Sequence, residues 1–258
     1  VNGIRLGAHI PWAQIELLLE KVLRLGLVPE VALKGPELDS LDTTLLDRVR
    51  RMLSAAGVRP SIHAPFFDLN PGALDPLIRQ VTYQRLHQSL TVAEHLQAHL
   101  MVIHPGFDKW RYPRLDQTWL NLAIDSFPPL IDQAASCDCR LALENIYEEH
   151  PDTLVQLVEG LDSAWFGHCF DAGHWHLFGK RPMAEWLEAI SARLFHLHLH
   201  DNRGQADDHL PVGEGVIDFA PLQIKLHQIS PFPSITLEAH SPEHLERSLH
   251  QVKLLLNR

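Results

Sequence analysis

Short apolar runs, often β-branched, alternate along this chain with longer stretches whose apolar residues recur at helical spacing. The strand-like runs are Ile4–His9, Val28–Leu33, Val58–His63, Leu100–His104, Arg140–Asn145, Gly167–Asp171, Leu194–His200 and Ile235–His240. They lie roughly 25–40 residues apart, the length of a strand plus a crossover helix. Such alternation predicts βαβ units and a parallel sheet. Eight units in 258 residues predict an α/β fold, a (β/α)8 TIM barrel, with residues 1–258 as one domain. A doubly wound open sheet would carry a glycine-rich phosphate loop after its first strand, and Gly7-Ala8-His9-Ile10-Pro11 is not one.

The stretches between the strands carry helix start and stop signals. Trp12 to Leu25 is apolar at helical spacing and stops at Gly26. Asp42 is placed as the N-cap of a helix ending at Ala56-Gly57, where glycine suits the position after the C-cap. Asp75-Pro76 and Ser241-Pro242-Glu243 each put proline at a first helical position, and Asp218 is placed as an N-cap after Ile217.

Composition narrows the classes. At 45% hydrophobic and 21% charged residues, the chain can bury a sizeable core without disulfides. A net charge of −10, from 32 acids against 22 bases, argues against a polyanionic nucleic acid as the main partner. Cys137, Cys139 and Cys169 form no disulfide framework, and Cys137-Asp138-Cys139 lacks metal-finger spacing. No apolar run reaches the ~18 residues of a membrane span, so a cytoplasmic protein with no membrane partner is expected. The sequence leaves the oligomeric state open.

The 18 histidines matter for where they fall. In a TIM barrel the chemistry sits at the C-terminal strand ends. Strand one ends in His9, strand three in His63, strand four in His104, strand five in Glu144-Asn145, strand six in Asp171 with His174 following, and strand eight in Glu238-Ala239-His240. Strand seven reads His196-Leu197-His198-Leu199-His200; residues two apart share a face, so all three imidazoles are predicted to point inward at different depths. Asp207 and His209 return from the loop before Gly213-Glu214-Gly215. Burying so many titratable groups together without a cation would cost several kcal/mol apiece. The set therefore predicts a divalent-metal site, and mixed imidazole and carboxylate ligands suit Zn2+ or Mn2+.

These motifs resemble the xylose isomerase-like TIM barrel superfamily over essentially the whole chain. The resemblance rests on His63-Ala64-Pro65, His104-Pro105-Gly106, Glu144-Asn145, Asp171-Ala172-Gly173-His174, His198 to Asn202, Asp207 with His209, Gly213-Glu214-Gly215, and Glu238. Its epimerase branch implies one metal on Glu144, Asp171, His198 and Glu238. It also implies that the two glutamates exchange the substrate proton, with His174 and Arg203 on substrate oxygens. Its endonuclease IV branch implies up to three zinc ions on His63, His104, Glu144, Asp171, His174, His198, Asp207, His209 and Glu238, with Glu144 bridging.

Other features favour a small substrate over DNA. The loop after strand two, Lys34-Gly35-Pro36-Glu37, is short, and Phe66 stands where the endonuclease branch carries tyrosine. The basic loop Lys109 to Arg114 is small; Lys109 and Arg111 there could grip one phosphate, and Lys34 a substrate anion. The expectation is a sugar or sugar-phosphate isomerase or epimerase using one to three divalent ions, with an endonuclease IV-like phosphodiester hydrolase as the alternative. His176, His200, His240 and His9 are placed as groups orienting the ligands.

Overall fold

A computed structural model describes residues 6–256. Eight parallel strands close into a barrel in sequential order, β1 pairing with β8. In chain order the first half runs β1 (Leu6–Pro11), α1 (Ile15–Arg24), β2 (Val28–Ala32), α2 (Gly35–Leu38), α3 (Thr43–Ala55), β3 (Ser61–His63), α4 (Pro76–Leu96), β4 (Leu100–Ile103), α5 (Asp116–Ser126) and α6 (Pro128–Ser136). The second half runs β5 (Arg140–Glu144), α7 (Asp152–Leu161), β6 (Phe166–Asp171), α8 (Ala172–Phe178), α9 (Met183–Ile190), β7 (Leu194–Leu199), α10 (Ala220–Leu226), β8 (Ser234–Leu237) and α11 (Pro242–Leu256). The expected start of the first strand, Ile4 and Arg5, lies outside the described residues.

Capping chemistry sets the helix ends as expected. The Asp42 carboxylate accepts the Thr44 N–H at 2.8 Å, Asp75 accepts Leu77 N–H at 2.8 Å, and Ser241 accepts His244 N–H at 3.2 Å. Gly26 and Gly57 take the left-handed conformation after α1 and α3, with φ of 72° and 65°. Several boundaries shift: β8 stops at Leu237, short of His240, and Trp12–Gln14 forms a 3-10 turn ahead of α1. Residues 58–60 are not strand, because the Val58 N–H closes α3 by bonding Leu53 O at 3.0 Å. Asp218 is not the N-cap of α10; its carboxylate accepts the Ala220 N–H at 2.9 Å, and Pro221 fixes the helix start one residue later than expected.

Period-two alternation divides each strand between two environments. Met101, Ile103, Leu141, Leu143, Leu197 and Leu199 face outward into the layer between sheet and helices. There α1 contributes Ile15, Leu19 and Val22, spaced i, i+4, i+7 on one face. Each such leucine stabilises the fold by about 1.5–3 kcal/mol. Inside the barrel, Leu100, Val102, Ala142 and Cys169 make a separate apolar cluster with Phe195 packed against it. The other inward positions of β2, β3, β7 and β8 are polar: Glu30, Ser61, His196 and Thr236, all buried. Above them the strand ends converge.

Candidate metal centre

The side chains at the mouth are positioned by strand register. β5 and β6 run in step, whereas the register of β6 against β7 shifts by one residue between His168 and Cys169, and that shift puts Asp171 beside His198. Asp171 is further fixed by Asn145, whose amide accepts its N–H at 2.8 Å and donates to its C=O at 2.9 Å. Its own carboxylate caps α8 by accepting the His174 N–H at 2.6 Å, which aims His174 back over the barrel. On the β7 side Asp201 accepts the N–H groups of Gly213 and Ile217 at 3.0 and 3.1 Å. Gly213 adopts φ of 86°, and a Cβ on Gly215 would overlap the Asp201 carboxylate. Those glycines fold the loop that returns Asp207 and His209 to the mouth.

All nine expected ligands come together, in three groups joined through Glu144, Asp171 and Glu238. In the first, Glu144 Oε2 lies 3.4 Å from His63 Nε2 and 3.1 Å from His104 Nε2, and the two imidazole nitrogens are 3.3 Å apart. In the second, His198 Nδ1 faces Glu144 Oε1 at 3.2 Å, Glu238 Oε1 at 3.4 Å and Asp171 Oδ2 at 3.8 Å. In the third, Asp207 Oδ2 lies 3.0 Å from His209 Nε2 and 3.5 Å from His174 Nε2. His174 Nδ1 looks the other way, to Glu144 Oε1 at 3.2 Å. Trios of donor atoms within 4.8 Å of one another include His63–His104–Glu144 and His63–His198–Glu238.

Electrostatics here are those of mutually matched charges. Burial would raise the Glu144 carboxyl, yet His198, His104 and His174 hold it well below the ordinary carboxylate range. Burial opposes ionisation of Glu238 as well, and His198, His209 and His9 bring it to about 2. Burial should neutralise His198, but Cys169, Glu238, Glu144 and Glu30 raise its pKa well above normal. His209 behaves likewise, raised to about 9 against burial by Asp207 and Glu238. His104 goes the other way, lowered by its burial. The mouth is thus a concentration of anionic carboxylates whose charge the surrounding imidazoles match.

Three of the four groups expected to orient the ligands, His200, His240 and His9, lie against them. His200 Nε2 is 3.1 Å from Asp171 Oδ2, and its ring stacks on His209 with centroids 4.0 Å apart. His240 stacks on the other side of His209 at 4.3 Å, and His9 meets His63 edge-on at 6.0 Å. His176 lies farther out, beside Gly204.

The basic residues are less engaged with the mouth. Lys109 pairs with Glu149, as does Lys180 at 2.5 Å, so its charge is matched within the chain and the loops after β4, β5 and α8 are clasped together. Those two ammonium groups hold Glu149 at about 2. Arg111, Arg203 and Lys34 are exposed. The loop after β2 is the single-turn helix α2, closed by the Glu37 carboxylate on the Lys34 N–H at 2.7 Å. In the basic loop Tyr112 is buried, whereas Trp110 is 81% exposed.

Two buried acids were not foreseen, Glu30 inside the barrel and Glu148 in the loop after β5. Glu30 lies under the site and faces His196 and His198, each at 3.0 Å. Glu148 accepts the Ile146 N–H at 2.7 Å, and burial raises its pKa to about 7. Alternation in Val28-Pro29-Glu30-Val31 could have flagged Glu30 as inward, since Val31 faces the helices.

Comparison with known proteins bears on this arrangement. The TTHB071 protein from Thermus thermophilus, in crystals soaked with ZnCl2, is 29% identical, with 98% of each chain covered and a TM-score of 0.85. A D-tagatose 3-epimerase-like protein is 25% identical over 98% of this chain and 97% of its own, also at 0.85. D-psicose 3-epimerase crystallised with D-fructose shares the fold at 14% identity, with coverage of 99% and 100% and a TM-score of 0.82. Among sequences, the uncharacterised Methanocaldococcus jannaschii protein MJ1311 is 30% identical over 188 residues, 69% of this chain and 63% of its own length. The match thus spans less than two thirds of that relative. MJ1614 from the same organism is 29% identical over 202 residues, 76% of this chain and 77% of its own. The model of the xylose isomerase-like TIM barrel family matches residues 16–256, and the chain belongs to that family.

Proposed function

We propose that the chain is a divalent-metal-dependent sugar or sugar-phosphate isomerase or epimerase acting at the C-terminal mouth of the barrel. One observation carries the reading. The carboxylates of Glu144 and Glu238, from β5 and the end of β8, reach the same His198 nitrogen at 3.2 and 3.4 Å beside Asp171.

The donor set fits a cation. Metal–ligand bonds of about 2.0–2.2 Å put neighbouring ligand atoms roughly 3.3–3.6 Å apart in a tetrahedron and about 3 Å apart in an octahedron. From His198 Nδ1, Glu144 and Glu238 stand at 3.2 and 3.4 Å, within that size, and Asp171 at 3.8 Å, just beyond it. Glu144 Oε2 is buried without a hydrogen bond and faces His63 and His104. Mixed imidazole and carboxylate ligands suit Zn2+ or Mn2+. The D-tagatose 3-epimerase-like neighbour supports the substrate class.

Glu144, Asp171, His198 and Glu238 would hold the ion, which when bound polarises the substrate's carbonyl and hydroxyl oxygens and so acidifies the adjoining C–H bond. One of Glu144 and Glu238 takes that proton from carbon. The other carboxyl delivers a proton to the opposite face, which inverts the centre and leaves the atom count unchanged. Neighbouring imidazoles favour the ionised form of each carboxyl, so either can serve as the base, and the partner takes up a proton from solvent before it delivers one to carbon. His174, cationic beside Asp171, Asp207 and Glu144, donates a hydrogen bond to a substrate oxygen, with Arg203 at the rim.

The test uses protein loaded with zinc or manganese in D2O, with a panel of ketoses and ketose phosphates. Deuterium should enter at the carbon beside the carbonyl. Chelation should abolish exchange, and Glu144→Gln or Glu238→Gln should reduce it about 10²–10⁴-fold. Metal-loaded protein that exchanges no carbon-bound proton across the panel refutes the proposal.

The His63–His104–Glu144 and His174–Asp207–His209 groups favour a second reading, a three-zinc phosphodiester hydrolase like endonuclease IV. It requires about three zinc ions per chain and zinc-dependent incision of an abasic-site duplex; neither would be seen with a one-ion epimerase.

A further inference from the structure

Beneath the mouth lies a carboxylate that belongs to none of the three ligand groups. Glu30, midway along β2, has no solvent exposure. Its Oε2 accepts the hydroxyls of Ser61 at 2.9 Å and Thr236 at 3.1 Å, and lies 3.0 Å from His196 Nε2. Its Oε1 lies 3.0 Å from His198 Nε2. The contacts come from β3, β7 and β8, so the carboxylate is held from three strands. His196 is fixed in turn, its Nδ1 2.6 Å from the Ser234 hydroxyl.

From this geometry we infer that Glu30 is a positioning residue, setting the tautomer and orientation of His198 so that Nδ1 presents its lone pair to the mouth. A carboxylate only accepts hydrogen bonds, and His198 has one facing each nitrogen, Glu30 at Nε2 and Glu144 at Nδ1; a cation held at the mouth would take the place of the proton at Nδ1 and leave the one at Nε2. Neutral imidazole has one N–H. With that proton on Nε2, the lone pair falls on Nδ1, the atom 3.2 Å from Glu144 and 3.4 Å from Glu238. The other tautomer would set a lone pair against the Glu30 carboxylate, which has no solvent exposure. A carboxylate behind an imidazole also makes the imidazole a stronger donor to a cation.

The inference rests on the metal reading of the mouth but not on the substrate class. It is tested by measuring zinc affinity through competition with a chromogenic chelator, for the wild type and for Glu30→Gln, with thermal unfolding alongside. Zinc-loaded protein labelled with 15N at histidine is compared by NMR with a His198→Gln variant to assign the His198 ring. The expected results are a folded Glu30→Gln protein binding zinc about 10–100-fold more weakly, and a wild-type His198 protonated at Nε2 and ligating through Nδ1. Zinc affinity within twofold of the wild type in folded Glu30→Gln overturns the role of Glu30 alone. So does a wild-type His198 protonated at Nδ1, a result that needs no variant to fold. Wild-type protein that binds no zinc overturns the metal reading and this inference together.

Discussion

Gly173 offers a test in which two physical effects of opposite sign compete. It lies buried in α8, between the strand-end Asp171 and His174. Helix propensity alone predicts that Gly173→Ala stabilises the fold by about 1 kcal/mol. The structure predicts otherwise, because an added Cβ would overlap the His200 ring, lying 2.5 Å from Nδ1 and 2.6 Å from Nε2. That ring cannot easily retreat. It has no solvent exposure, stacks on His209 and bonds Asp171 Oδ2 at 3.1 Å.

Overpacking costs about 1–3 kcal/mol, and a hydrogen bond to a charged group adds about 1.5–3 kcal/mol when it is lost. Taking the penalty as about 3–4 kcal/mol, the net destabilisation is about 2–3 kcal/mol. At about 2 °C per kcal/mol for a domain of this size, Tm should fall by about 4–6 °C. Circular dichroism melts in chelator read this directly. In a His200→Ala background the same Gly173→Ala change should become neutral or stabilising, since the clash is gone. A Gly173→Ala protein that melts at or above the wild type would refute the claim that Gly173 exists to seat His200.

Two further outcomes are expected. The Asn70 amide accepts the N–H groups of Gly72 at 2.9 Å and Trp119 Nε1 at 2.8 Å, and donates to Gly106 O at 2.6 Å and Tyr112 OH at 2.9 Å, tying the loop after His63 to the loop after His104. At about 1 kcal/mol for each bond, Asn70→Ala should lower stability by about 3–4 kcal/mol, and a Tm drop below 1 °C would contradict this. A hydrogen bond from Cys139 lowers the half-buried Cys137 thiol to about 7 against its burial, while Cys139 and Cys169 are fully buried with raised pKa values. Iodoacetamide followed by peptide mass analysis should therefore label Cys137 first, at a rate rising with pH through a midpoint near 7. A midpoint near that of a free thiol, or equal labelling of the buried cysteines, would show the assignment to be wrong.

Much of the architecture was legible before any coordinates, because its causes are local. Alternation within Phe195 to His200 places three imidazoles on one face whatever else the chain does, and they do line the barrel interior at three depths. Caps at Asp42 and Asp75 act within a single turn, so they too were readable. The gathering of the candidate donors was legible for a related reason: in a parallel barrel every strand delivers its last residues to one end. The limits of local reading appear at Val58–Pro60, where closure of α3 takes residues that look like strand.

How the candidate donors are grouped could be decided only in three dimensions. The sequence supplies nine candidate donors as a set, but their division among Glu144, Asp171 and Glu238 depends on strand tilt and register around the closed barrel. Lys109 reads as a free cation in a basic loop until folding brings Glu149 from the next loop against it. Glu30 is the clearest case. An acid inside a short strand gives no local sign of its partners, and β2 stands three places from β7 around the sheet. Only barrel closure brings their inward faces together across the interior, and with them the carboxylate 3.0 Å from His198. Periodicity along the chain fixes which way a side chain points, whereas the partner it meets across a closed sheet is set by the summed geometry of all eight strands.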